Sequence, residues 1–216
     1  ANIENEIDIS KPLIICSPDS MSLKAQNNVI KFIERGGKLL LLSTIPMTDE
    51  NFEPCTALYD FLGKPEFAEN DSDSCVTLVN DRRVYGINCA KKITKFPGDA
   101  ETFATDGTKT NVCGFKKRFG KGEVIYLGGS WLTTDFNQAE MTEDIMLYFG
   151  AVPCVERSNR TVYATMFRLE ERIGIFLLNL YTGAQETNVI VHTENGKTNL
   201  GKISLKPMEV KFINVK

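Results

Sequence analysis

Histidine and tryptophan are almost missing from this chain of 216 residues, where His192 and Trp131 each stand alone. One histidine is too few for a Cys/His zinc centre, and it leaves any serine or cysteine nucleophile with a single candidate base. The six cysteines (Cys16, Cys55, Cys75, Cys89, Cys113, Cys154) contain no CxxC pair. That removes the spacing used by zinc and redox motifs. Several lie inside apolar strand patterns, where cysteine behaves as a small hydrophobe, so scattered reduced thiols and a cytoplasmic setting are expected. No secretory signal pattern opens the sequence, and no apolar run approaches the ~20 residues of a membrane helix. No membrane partner is expected.

A basic stripe is lacking too. The net charge of −3 divides into −6 over residues 1–159 and +3 over residues 160–216. Neither part carries the dense positive charge of a nucleic-acid binder. The glycines around Lys121 and after Leu127 fit neither GxxxxGK[ST] nor GxGxxG, so no phosphate-bearing cofactor is indicated. No cofactor and no metal are expected. There is no internal repeat and no low-complexity segment.

What is present is organised around Ser20 to Thr44. Ser20 or Ser22 can cap a helix whose apolar residues Leu23, Val29, Ile30 and Ile33 recur at helical spacing, with Gly36-Gly37 as its stop. The four leucines of Lys38 to Ser43 then read as a strand buried on both faces, of the kind found in parallel sheets. Pro12 to Cys16 is a second apolar run before the helix. Together these make a βαβ unit, whose working loops at the strand carboxyl ends are Ser17–Ser20 and Ser43–Asp49.

Further along, Ala57 to Leu62 reads as a short helix ended by Gly63. Cys75 to Phe96 holds short β segments separated by Asn80-Asp81 and Asn88, and Asp106-Gly107 marks a hairpin. Glu123 to Leu127 is a buried strand, and Met141 to Phe149 a short helix. Ala151 to Arg160 interrupts the pattern. Beyond it, five β-branched and aromatic runs of period two fill the chain to Val215. The expectation is an α/β domain over residues 1–153, with a mostly parallel sheet and a β-rich insertion, and an all-β domain over residues 160–216. The polar opening ANIENEIDIS leads straight towards a strand, so the α/β domain is expected to be truncated at its N-terminus.

Candidate chemistry is sparse. A nucleophile elbow belongs at a strand-turn-helix junction with glycines two residues either side of the nucleophile. Leu42-Ser43-Thr44-Ile45-Pro46 has none. His192 sits in a β run, away from any such turn. Cys16, at the end of an apolar strand, is a thiol candidate with no base supplied by its neighbours. Asp49 and Glu50 lie in a carboxyl-end loop, while Glu140, Glu143 and Asp144 fit compensation of a helix dipole. The lone Trp131 and Asp135, in a polar loop directly after a buried strand, are placed where ligand or partner contacts accumulate. Trp131, Asp49, Glu50 and Asp135 are therefore the candidate contact residues, and no catalytic residue is assigned.

The order of the pieces resembles a known family. Ile14 to Pro18, then Phe32-Ile33-Glu34-Arg35-Gly36-Gly37-Lys38-Leu39-Leu40, Thr48 to Asn51, Leu58 to Gly63 and Gly120 to Gly128 look like the glutamine-amidotransferase-like trimerisation domain of family 42 β-galactosidases. Phe176-Leu-Leu-Asn179 and Leu205-Lys-Pro-Met-Glu-Val210 are similar to the small C-terminal β-sandwich of the same enzymes. The resemblance implies a flavodoxin-like, class I glutamine-amidotransferase-like sheet and a homotrimer. It also implies a non-catalytic accessory role beside an upstream TIM barrel that holds the catalytic glutamates. A galactoside is then a candidate ligand. Two other readings stay open: a carbohydrate-binding module using the Trp131 loop and the β domain, and a degenerate or active thiol amidotransferase-like enzyme using Cys16.

Overall fold

The structure is a computed structural model that describes residues 2–17, 19–71, 75–87, 91–129, 136–169 and 172–215. It divides into two compact units, Ala1–Gly150 and Ala151–Lys216.

In the first unit, β1 (Leu13–Ser17), α1 (Leu23–Glu34) and β2 (Lys38–Ser43) form the expected βαβ unit. The strands run parallel, with Leu13 opposite Leu39 and Ser17 opposite Ser43. The helix starts where Ser22 Oγ accepts from the Ala25 amide at 3.2 Å, and it buries Val29, Phe32 and Ile33. It stops at Gly36, whose φ of +105° is open to glycine at little cost. The Gly36 and Gly37 amides return to the Ile33 and Phe32 carbonyls, both at 2.9 Å. Leu39 to Leu42 of β2 are all buried, with Leu39 and Leu41 on one face and Leu40 and Leu42 on the other.

The chain continues through α2 (Ala57–Leu62), β3 (Glu66–Glu69), β4 (Cys75–Leu78), β5 (Arg83–Tyr85), β6 (Lys91–Lys95), β7 (Glu101–Asp106), β8 (Val112–Phe119), β9 (Gly122–Leu127) and α3 (Phe136–Tyr148). The main sheet has the order β1-β2-β9-β8-β7-β4-β5, and β3 pairs with β6 in a separate ribbon. Here the expected fold class fails. Only β1-β2 and β2-β9 are parallel, and every other pair in the sheet is antiparallel. With fifteen strands and three helices among the described residues, this is a mostly β mixed sheet. It is not a helix-rich, flavodoxin-like or amidotransferase-like α/β fold. The physical reason is connection length: β4-β5, β7-β8 and β8-β9 are joined by short turns, which can link only antiparallel strands.

Both faces of the sheet are covered. Helices α1 and α2, with Phe67 of β3 and Ile93 of β6, pack against Leu39, Leu41, Phe115 and Tyr126. On the other face Met141 and Ile145 of α3 meet Leu40, Leu42, Val76, Ile125 and Leu127. Because α3 starts at Phe136, five residues before the expected Met141, Glu140 and Asp144 stand one turn apart inside it. Both pair with Arg82, Glu140 Oε2 at 2.9 Å, so they serve an ion pair rather than the helix start.

The second unit contains β10 (Val155–Arg157), β11 (Val162–Leu169), β12 (Arg172–Asn179), β13 (Gln185–Thr193), β14 (Gly196–Leu205) and β15 (Val210–Val215). They form two antiparallel three-stranded sheets, β10-β13-β14 and β11-β12-β15. Inward residues of both sheets, among them Val155, Ile175, Leu177, Val191, Leu205 and Val215, share one core. The two sequence motifs of this region meet at Asn179. Its Nδ2 donates to the Gly183 and Lys206 carbonyls, each at 2.8 Å, and its Oδ1 accepts from the Tyr181 amide at 3.0 Å. On the outer face of β11-β12-β15, the rings of Phe167, Phe176 and Phe212 lie 5.1–5.6 Å apart. They close over Gly174, where a Cβ would come within 2.5 Å of two of them.

Candidate functional site

The carboxyl ends of β1, β2 and β9 open into a cavity of about 840 Å³. Asp19, Ser43, Thr44, Ile45 and Met47 line it from the loops after β1 and β2. Tyr59 of α2 and Pro65 contribute one wall, and Glu66, Phe67, Lys91 and Thr94 of the β3-β6 ribbon another. Tyr126, Gly128 and Gly129 complete it from β9 and the residues beyond.

The two carboxyl-end loops are locked together. The Asp19 carbonyl accepts from the Met47 amide at 3.0 Å, the Thr48 amide at 3.3 Å and Thr48 Oγ1 at 3.2 Å, while the Met21 amide donates to the Thr48 carbonyl at 2.9 Å. Behind them lies Gln26, a fully buried polar residue on the core face of α1. Its Nε2 donates to the Met21 carbonyl (2.9 Å) and the Cys55 carbonyl (3.0 Å), and its Oε1 accepts from the Leu58 amide at 2.9 Å. One side chain thus staples α1 to the loop after β1 and to the start of α2. A buried amide so fully paired rigidifies what it joins.

At the floor, Ser43 holds a φ of +71°. The Thr44 amide donates across it to the Leu42 carbonyl at 3.1 Å. That makes a γ-turn of the uncommon, strained hand, with a left-handed residue that costs about 1–2 kcal/mol when it is not glycine. Tyr126 Oη donates to the Ser43 carbonyl at 3.2 Å. Gly128 leaves room for that hydroxyl, since a Cβ there would lie 2.6 Å from it. Cys16 Sγ is 3.6 Å from Ser43 Oγ.

Of the residues singled out from sequence, Trp131 and Asp135 lie outside the described residues. Asp49 and Glu50 sit in a turn beside the cavity and do not line it. The Asp49 carboxylate is turned onto its own loop, where Oδ1 accepts from the Asn51 amide (2.8 Å) and the Glu53 amide (3.0 Å). Cys16 is exposed at the end of β1, and the first unit contains no histidine. His192 belongs to the second unit, with Nε2 2.6 Å from Glu156 Oε1. Among the described residues, no group of three His, Cys, Asp or Glu side chains is arranged to hold a metal ion. None of the described helices is long and apolar enough to cross a membrane. Sequence reasoning missed Gln26, Ser43 as a strained position, and Tyr126. For Gln26 a signal existed, a polar residue three positions before Val29 on the buried face of the helix.

Residues 2–100 match the family described as GLMA-like, second domain. The chain is 35% identical over 156 residues to an exo-β-D-glucosaminidase of Pyrococcus horikoshii, covering 69% of this chain and 20% of that protein. It is 26% identical over 204 residues to a β-1,2-glucosyltransferase of Ignavibacterium album, covering 94% of this chain and 28% of that one. In fold it resembles a GH42 β-galactosidase from G. stearothermophilus, with a TM-score of 0.67 at 16% identity over 95% of this chain and 32% of that one. The β-galactosidase of Bacillus circulans sp. alkalophilus gives a TM-score of 0.65, at 16% identity over 94% of this chain and 33% of that one. The chain thus spans between a fifth and a third of the length of each of these proteins. In sequence the first unit thus matches the GLMA-like second domain, and in fold the chain is similar to part of the GH42 β-galactosidases.

Proposed function

We propose that this chain is a non-catalytic accessory region of a GH42-like glycosidase, docked against a catalytic domain of the same protein and contributing to its self-association. The observation that carries this reading is the outer face of β11-β12-β15. Tyr163, Phe167, Leu169, Phe176, Val210 and Phe212 are all exposed there, in a contiguous apolar area of the kind that proteins cover with other protein. The length of the relatives supports it, since each holds several hundred residues beyond the matched region.

Self-association, as a trimer by the family resemblance, is assigned to the first unit. Sedimentation velocity over a range of concentrations tests it: association above the monomer is expected, and a monomer at every concentration would remove this part of the proposal. Pure chain is expected to release no nitrophenol from nitrophenyl β-galactoside or β-glucosaminide.

A further inference from the structure

We infer that the cavity at the carboxyl ends of β1, β2 and β9 is a binding site for a neutral sugar of one or two pyranose rings. Nothing in the proposed accessory role requires such a site, and the inference rests on the cavity's own lining. It therefore stands or falls apart from catalysis elsewhere and from self-association.

At about 840 Å³ the cavity is within the range of small-molecule sites. Its lining has the two-sided chemistry of a sugar. The half-buried Tyr59 and Phe67 supply aromatic surface for the C–H faces of a pyranose, and the Phe67 ring is backed by the buried Tyr126 ring, 5.8 Å away and tilted by 60°. Ser43, Thr44 and Thr94 supply hydroxyls for its rim. Charge is balanced. Among the described lining residues Asp19 and Lys91 carry opposite charges, and Glu66 is paired with Lys95. A phosphorylated or acidic ligand finds no excess positive charge here, and an amine no excess negative charge.

Two further observations point to use of the site. Ser43 keeps a side chain at a φ of +71°, where glycine would relieve the strain. Strained residues persist where the surrounding structure enforces them, and they cluster at ligand sites. Its contact with Cys16 Sγ, at 3.6 Å, is too weak a hydrogen bond to account for that cost. The walls are also preorganised. The loops after β1 and β2 are zipped through Asp19 and Thr48 and held from behind by Gln26, so little ordering is left to oppose binding.

Isothermal titration of the whole chain with D-galactose, lactose and inorganic phosphate tests the inference. Saturable heat with galactose or lactose, and none with phosphate, is expected. Ser43→Gly should weaken sugar binding roughly fivefold, as loss of one hydrogen bond does, without lowering the melting temperature. Thr94→Tyr, at an exposed strand position that tolerates an aromatic side chain, should close the cavity and abolish the heat while the fold persists. Three results would overturn the inference. The first is no saturable heat with either sugar. The second is sugar binding unchanged in both variants, which would put the sugar elsewhere. The third is phosphate binding that Thr94→Tyr removes, which would make the cavity an anion site.

Discussion

The hydroxyl of Tyr126 donates to the backbone carbonyl of Ser43 at 3.2 Å, so the end of β9 holds the strained turn that closes β2. Tyr126 itself is buried against Phe115 and Phe67, with ring centroids 5.2 and 5.8 Å away. The ring is fixed by packing and its polar tip is used at the cavity floor. Tyr126→Phe keeps the ring and removes the hydroxyl. A loss of about 1 kcal/mol of stability is expected, read by urea denaturation. The Thr44 amide should also exchange faster with solvent as the turn loosens.

At Ser43 the sign of the effect reverses between two substitutions. Ser43→Gly should stabilise the chain by about 0.5–1 kcal/mol, because glycine adopts a positive φ without steric cost. Ser43→Val should destabilise it, since a β-branched residue is the least tolerant of that region. Thermal melts of the two variants side by side check this. A destabilised glycine variant would mean that the hydroxyl matters more to the fold than the strain does.

Gln26→Leu places a side chain of similar size in the same site and removes all of the amide's hydrogen bonds. The Leu58 amide and the Met21 and Cys55 carbonyls lose a partner inside the protein. A cost of about 3 kcal/mol is expected, measured by chemical denaturation. Protection of the 44–58 segment from hydrogen exchange should fall more than that of β8 and β9.

Much of the first unit's centre was legible because its signals are local. The caps and period of α1, the Gly36-Gly37 stop and the four leucines of β2 each follow from a few adjacent residues. Gly122, at the start of β9, is a close approach that no sequence signal marks: a Cβ there would run into the Ile33 carbonyl. Strand direction was misjudged because it depends on how long each connection is. The turns at Asn80-Asp81 and Asp106-Gly107 are visible in the sequence and read as a β-rich insertion, whereas in the structure they commit most of the main sheet to antiparallel pairing. The site was less legible still. Periodicity carries no trace of the φ of Ser43, and the reach of Tyr126 to a neighbouring strand exists only after β2 and β9 pair. Asp49 looked like a free carboxylate in sequence because its partners are backbone amides of its own turn.

The β7-β8 connection links stability to acid. Burial of Asp106 pushes its carboxyl up, but hydrogen bonds from the Asn111 and Thr108 side chains and from the Asn111 and Thr110 amides outweigh this and hold it below its ordinary value of 3.8. A carboxyl depressed in the folded state contributes stability that is present above the unfolded value and lost as pH falls through the folded one. Stability should therefore drop on acidification below about pH 4. Asp106→Asn should be less stable at neutral pH and show a shallower acid loss. Denaturation midpoints across that range give the comparison.

The outer aromatic face of the second unit gives a solubility readout. If Phe176 and Phe212 are covered by another part of the protein, Phe212→Ser should leave the chain folded and less prone to associate non-specifically, because half of that side chain is exposed. Light scattering at matched concentrations, with circular dichroism as the check on folding, reads this.

The accessory role is tested most directly by glycoside turnover. The pure chain, incubated with nitrophenyl β-galactoside and nitrophenyl β-glucosaminide, is expected to release nitrophenol no faster than buffer. Release that co-purifies with the chain and disappears in Asp19→Asn would place a glycosidase site in the cavity itself and contradict the account.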